Sequence, residues 1–214
     1  MNTNLFCRDG DDGVLKQVGN RKVLYVMATN AEYLDALQSR FTPLICGVGP
    51  VEAALSLTRF LAQSERPDHV MSIGSAGSAT LTQGDVYQVS AVSYRDMDAS
   101  AFGFEKGVTP FLQQPALVDL SPLLSSWPMG SISTGANVVS GSGYAAIGAD
   151  MVDMESWALL RVCQEFDIPF HGLRGISDGA EEVSQYSDWT ALLPVIDDRL
   201  AQAVDAFERE ISEQ

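Results

Sequence analysis

A chain of 214 residues with 46% hydrophobic side chains is long enough for one sizeable domain with a real core, and short for two. Its formal net charge of -15 argues against a nucleic-acid backbone or an anionic membrane as partner, since both select a basic face, and leaves a small neutral or zwitterionic ligand as the better fit. Cys7, Cys46 and Cys163 are odd in number and widely spaced, so neither a disulfide framework nor a zinc motif is indicated, and a reducing, cytoplasmic setting is the default expectation. No apolar run reaches membrane-spanning length. Met1 to Asn20 is polar and acidic rather than a signal sequence, and residues 1–20 read as a loosely attached segment.

Lys22 to Ala28 contains Val23-Leu24-Tyr25-Val26-Met27, which predicts a strand, and Thr29-Asn30 is placed to cap a helix carrying Leu34 and Leu37. Glu32 falls in the first turn of that helix, where the helix dipole favours an acid in any case. Pro43 to Val48 predicts another short strand. Gly47-Val48-Gly49-Pro50 then leads into a helix with Val51, Ala54, Leu55, Thr58 and Leu61 on one face and Pro50 at its first position. The glycine pair lacks the third glycine of a dinucleotide fingerprint, because Val51-Glu52 follows, so a tight strand-to-helix turn is the better account.

His69 to Ile73 is a further strand, and Gly74-Ser75-Ala76-Gly77-Ser78 a glycine-flanked turn whose backbone N–H groups suit an anion or a water. Gln83-Gly84-Asp85 marks a turn before the alternating strand Val86 to Val92. Arg95 to Gly107 reads as an irregular loop bearing Phe102 and Phe104, for which burial in the core is the ordinary explanation. Ser131 to Val139 predicts one more strand, followed by the glycine-rich turn Ser140 to Gly143.

The stretch from Val152 to Ala180 packs an acidic pair, a helix, a strand and a second acid into one short span. Ala158, Leu159, Val162, Cys163 and Phe166 form the stripe of an amphipathic helix beginning near Glu155. Asp167 and Pro169 stop it, and Pro169 to Ile176 predicts a buried strand ending at Ser177-Asp178. Ligands in α/β sheets collect at the carboxyl ends of strands, so Glu155 and Asp178 are expected to face one crevice. Each also has an ordinary explanation, Glu155 as a first-turn acid and Asp178 as a turn residue before a glycine. Beyond an acidic linker, Leu192, Ile196, Ala203, Phe207 and Ile211 form the stripe of a long terminal helix.

The order Met154-Glu155, apolar helix, strand, Ser177-Asp178 resembles the purine nucleoside phosphorylase and nucleosidase superfamily, and most closely its methylthioadenosine/S-adenosylhomocysteine nucleosidase branch. The resemblance runs from about Val23 to Phe207. It implies a single three-layer α/β domain with a mixed central β-sheet, and hydrolysis of the N-glycosidic bond of a purine nucleoside. By its pattern Glu32 matches the carboxylate that activates water, and Ser75-Ala76-Gly77 the nucleophile pocket. Met154 and Glu155 match the ribose site, and Ser177-Asp178 the acid that protonates the base at N7. Val138 and Val139 match the residues lining the base, with valine where the family places an aromatic ring. Phe102, Phe104 and Pro110 match a segment that crosses a homodimer interface to close the partner's site.

Bacterial phosphorylases of the family carry an arginine just before the glycine-flanked turn, and Ser72 stands there here, which favours water over phosphate as nucleophile. No metal or organic cofactor is implied. A phosphate-dependent phosphorylase of the same fold and a catalytically silent nucleoside-binding module are the alternatives.

Overall fold

The computed structural model describes residues 13–121, 124, 127–179 and 181–213. Cys7 and most of the segment expected to attach loosely lie outside them. The described part of that segment includes strand β1 (Lys16–Val18), which pairs antiparallel with β2 (Arg21–Met27). The remaining strands are β3 (Leu44–Ile45), β4 (His69–Gly77), β5 (Val86–Tyr94), β6 (Leu117–Asp119), β7 (Met129–Thr134), β8 (Met151–Asp153) and β9 (Phe170–Asp178). The helices are α1 (Asp35–Gln38), α2 (Pro50–Gln63), α3 (Ser156–Glu165), α4 (Tyr186–Thr190) and α5 (Leu193–Ser212).

The sheet is mixed, as expected, and it closes on itself. β4 runs parallel to β2 and β9, β9 runs antiparallel to β5, β5 and β7 are parallel, and so are β7 and β8. The circuit is completed where β8 meets β4 antiparallel through the pair Gly77 and Val152. Closure gathers Gly77, Asp153 and Asp178, each the last residue of its strand, at one end of the sheet.

Alternation along β2 shows how the layers arise. Val23, Tyr25 and Met27 face a core shared with Leu37 of α1 and with Leu200, Val204 and Phe207 of α5. Leu24 and Val26 face the opposite core, with Leu57 and Leu61 of α2 and Leu159 and Cys163 of α3. Successive strand side chains point to opposite faces, so helices must cover both faces to bury this run. Each fully buried side chain of this size is worth about 1.5 to 3 kcal/mol.

Three local departures from the sequence reading have physical causes. The helix after Thr29 is broken into a 3₁₀ turn (Asn30–Glu32) and α1. Leu34, which cannot cap with its side chain, stands at the N-cap, and the buried Asp197 of α5 takes over by accepting from Ala36 N at 2.8 Å. β4 continues through the expected turn as far as Gly77, because β9 offers hydrogen-bond partners along that whole length and overrides the poor strand preference of glycine.

β7 ends at Thr134 instead of Val139, since Arg95 draws the carbonyls of Gly135 and Asn137 to its guanidinium at 3.2 and 2.7 Å. On α2 the buried face is Ala53, Leu57 and Leu61, while Val51 and Leu55 of the expected stripe are 68% and 63% exposed. The terminal helix begins at Leu193, one residue after Leu192, which stands at its N-cap.

Candidate active site

At the end of the sheet where the circuit closes there is a cleft of ≈ 540 Å³, a size suited to a nucleoside. Glu32 enters it from the 3₁₀ turn after β2, whose start is fixed by Thr29 Oγ1 accepting from Ala31 N. The Glu32 carboxylate is buried, and its Oε1 accepts from Ser75 N at 2.8 Å and from Ser75 Oγ at 2.5 Å. Burial pushes its carboxyl above the ordinary range, against the pull of the Ser75 donors and of Arg174.

Glu155 stands at the N-cap of α3, where the chain leaves β8. Its Oε1 accepts from Gly49 N at 2.8 Å. Gly49 has φ of 96°, a conformation that a side chain would strain, and this turns its N–H away from α2 and toward the carboxylate. Burial first, and then the charge of Asp153, push the Glu155 carboxyl up to about 8.

Asp178 ends β9. Ser177 Oγ donates to its Oδ1 at 2.6 Å, and burial raises its carboxyl while the Ser177 and Tyr144 hydroxyls lower it.

Beneath the three acids lies a buried ion pair that the sequence reading did not single out. Arg174 Nη2 meets Asp153 Oδ2 at 3.0 Å and also donates to Ser72 Oγ at 2.9 Å and Ser156 Oγ at 2.8 Å. Asp153 Oδ1 accepts from Thr134 Oγ1 at 2.7 Å, which leaves neither ion short of partners. The charged side chains lining the cleft are thus Arg174 against Glu32, Asp153, Glu155 and Asp178. The single guanidinium is already engaged by Asp153. With that guanidinium engaged, the described residues of the lining offer no free cation to a phosphate dianion, and those acids that are ionised suit a ligand that gains positive charge.

The structure brings Glu32, Ser75, Gly77 and Asp178 into this cleft together with Val138, Met154, Glu155 and Ser177. Val139 is buried and outside the lining, although its neighbour Val138 is 66% exposed and borders the cleft. Phe102, Phe104 and Pro110 are not part of the lining. Phe102 is 85% exposed, so burial in this chain's own core does not account for it.

The acidic linker expected after the Ser177-Asp178 strand holds α4, and Tyr186 and Trp189 from this helix line the cleft. Trp189 Nε1 donates to Ser75 Oγ at 2.8 Å and so braces the Glu32 pair. Gln185 and Asp188 cap this helix reciprocally, a signal that the spacing Gln-x-x-Asp carried.

Among the described residues no cluster of three or more His, Cys, Asp or Glu side chains is arranged to hold a metal ion, and no helix is long and apolar enough to cross a membrane.

Residues 38–209 match the model of the family described as the phosphorylase superfamily. A 5'-methylthioadenosine/S-adenosylhomocysteine nucleosidase of Haemophilus influenzae is 36% identical over 178 residues, covering 74% of this chain and 74% of the relative. That of Baumannia cicadellinicola is 33% identical over 169 residues, covering 70% and 73%. Among solved structures, the nucleosidase of the same name from Colwellia psychrerythraea, in complex with adenine, aligns with a TM-score of 0.72 at 25% identity over 87% of this chain and 93% of its own. The futalosine hydrolase of Helicobacter pylori aligns with a TM-score of 0.75 at 21% identity over 88% and 97%, a likeness of fold.

Proposed function

Since this chain belongs to the phosphorylase superfamily and is a nucleosidase, we propose that it hydrolyses the N-glycosidic bond of adenine nucleosides of the methylthioadenosine and S-adenosylhomocysteine type. The observation that carries the choice of water as nucleophile is the charge of the cleft, where, among the described residues, the one arginine is already paired with Asp153 and the other ionisable side chains are acids.

In the proposed reaction Asp178 gives its proton to N7 of the base as the C1′–N9 bond breaks and its electron pair passes to the departing purine. Glu32 takes a proton from the water whose oxygen bonds to C1′. Glu155 accepts from the ribose hydroxyls, and its charge stabilises the cationic sugar of the transition state. Burial holds its carboxyl above the ordinary range, and the hydroxyl donors and the developing cation favour the ionised form as the reaction proceeds. Met154 packs on the sugar face. The products are a free purine and a reducing sugar.

The test is chromatography of a nucleoside panel with purified enzyme: adenine released from methylthioadenosine supports the reading, and an unchanged panel overturns it.

We place the enzyme in the cytoplasm as a homodimer with a shared site. Its buried thiols at Cys46 and Cys163 fit a reducing compartment. The dimer is supported by apolar side chains left in water: Phe102, Phe111 at 97% exposure, and Val51 and Leu55 on the outward face of α2. Phe102→Asp is expected to yield a monomer by light scattering, with base release greatly reduced. A fully active monomer of the unsubstituted chain contradicts this arrangement.

The base end of the cleft departs from the family pattern at Val138. Stacking an aromatic ring on a base is worth about 1 to 3 kcal/mol by truncation, more than a valine contact returns. Because Val138 is mostly exposed at the rim, a ring has room there, and Val138→Phe is expected to lower KM for methylthioadenosine with kcat little changed. A raised KM or a collapsed kcat in steady-state kinetics points instead to a base already covered by Tyr186 or Trp189, with the new ring overpacking the site.

A further inference from the structure

Tyr144 belongs to the 3₁₀ turn Gly141–Ala146, which follows the base-lining segment and precedes β8. Ser142, Gly143, Ala145 and Ala146 in that turn are exposed, whereas Tyr144 turns its ring inward and buries its hydroxyl oxygen. That oxygen makes no hydrogen bond of standard geometry among the described residues, an arrangement that costs free energy unless a partner completes it.

What it faces is the carboxylate of Asp178. The two groups converge over Gly77: a methyl built there would collide with the phenol oxygen and would stand 2.6 Å from Asp178 Oδ2. Gly77 is also where β4 shifts register against β9 and where the sheet circuit closes on β8. A glycine is therefore needed at that point for the phenol to approach the carboxylate at all.

We propose that Tyr144 is a positioning residue for the acid, its hydroxyl supplying the donor to Asp178 Oδ2 as the proton leaves Asp178 for the base. This rests on the reading of Asp178 as the general acid. When the proton transfers, a full negative charge appears on a buried carboxylate. Ser177 Oγ already donates to Oδ1, and Oδ2 needs a partner of its own. The Tyr144 hydroxyl is the group in place. A donor that engages only the anion stabilises the transition state more than the ground state, and thereby speeds departure of the base.

Its electrostatic surroundings agree. Burial and then the Asp178 charge push the Tyr144 phenol up, so it stays a neutral donor throughout the working range. The one cation acting on it is Arg95, whose guanidinium is occupied by the carbonyls of Ser133, Gly135, Asn137 and Asp153. The groups facing Asp178 itself are Ser177 and Tyr144, while Glu32, Asp153, Glu155 and Arg174 line the same cleft.

The test is Tyr144→Phe, which removes only the hydroxyl from an otherwise exposed turn. The expected result is a fall of about tenfold in kcat for base release with KM within about twofold. Losing a donor to the anion raises the Asp178 carboxyl further, so the alkaline limb of the pH profile, where the acid loses its proton, moves to higher pH. Carbon-13 NMR titration of the Asp178 carboxyl is expected to show the same upward displacement without turnover. A wild-type rate, or a slower rate with both the pH limb and the titration unmoved, overturns the proposal and leaves Tyr144 a loop anchor. If the unsubstituted enzyme released no base from any nucleoside, the nucleosidase reading would fall, and the Asp178 titration in Tyr144→Phe would still decide what the phenol does.

Discussion

Asp178→Asn is expected to lower the rate of base release by about 10² to 10⁴ and to leave nucleoside binding nearly intact, as the proposed role of Asp178 as the acid requires. An amide preserves the shape of the side chain and its contact with Ser177, but it has no acidic proton to give to N7. The purine would then have to leave as an anion from C1′. Because the lost interaction is made only as the bond breaks, the loss belongs in kcat and in kcat/KM equally. Single-turnover release of adenine, set beside equilibrium binding of a non-hydrolysed nucleoside analogue, separates the two quantities. A loss of less than about tenfold in rate removes Asp178 from the mechanism.

Glu32→Gln is expected to produce a loss of the same order, about 10² to 10⁴, for the opposite reason, since Glu32 is the proposed base. The base must be ionised to take a proton from water, and burial holds the Glu32 carboxyl above its ordinary value. Protonation therefore silences it at a higher pH than it would a free glutamate. In the unsubstituted enzyme kcat/KM is expected to fall as pH drops through that raised value, giving an acid limb above the usual carboxylate range. Glutamine retains the volume and an acceptor for the Ser75 donors, so folding is expected to survive. In the variant the part of the acid limb that Glu32 sets disappears along with most of the activity, while any part set by Glu155 stays. A Glu32→Gln variant with a pH profile and a rate near those of the parent assigns water activation to another group.

Much of this site was legible in the sequence because its acids sit at the ends of strongly patterned elements. The apolar run of β2, the stripe of α3 and the run of β9 located Glu32, Glu155 and Asp178 in local terms, and strand-end positions are where an α/β sheet gathers its ligands. What the sequence did not display is the set of contacts made by closure. Arg174 lies within a buried strand, and its pairing with Asp153, Ser72 and Ser156 depends on three other elements meeting it.

Trp189 was hidden for another reason, since the short helix α4 carries no apolar stripe and is defined by its capping residues. The outward face of α2 was misassigned because Val51, Leu55 and Ala54 match a helical period as well as Ala53, Leu57 and Leu61 do. Periodicity tells a helix from a strand, but when both faces are apolar it does not say which face is inside.

The central claim is that water, and not phosphate, attacks the sugar in a cleft whose only cation, among the described residues that line it, is already paired. Its most direct test is the initial rate of adenine release from methylthioadenosine as phosphate is raised from none to well above physiological levels, with the sugar product identified by mass spectrometry. The account predicts a rate independent of phosphate and a free reducing sugar at every concentration. A rate that vanishes without phosphate, with a sugar 1-phosphate as product, contradicts it.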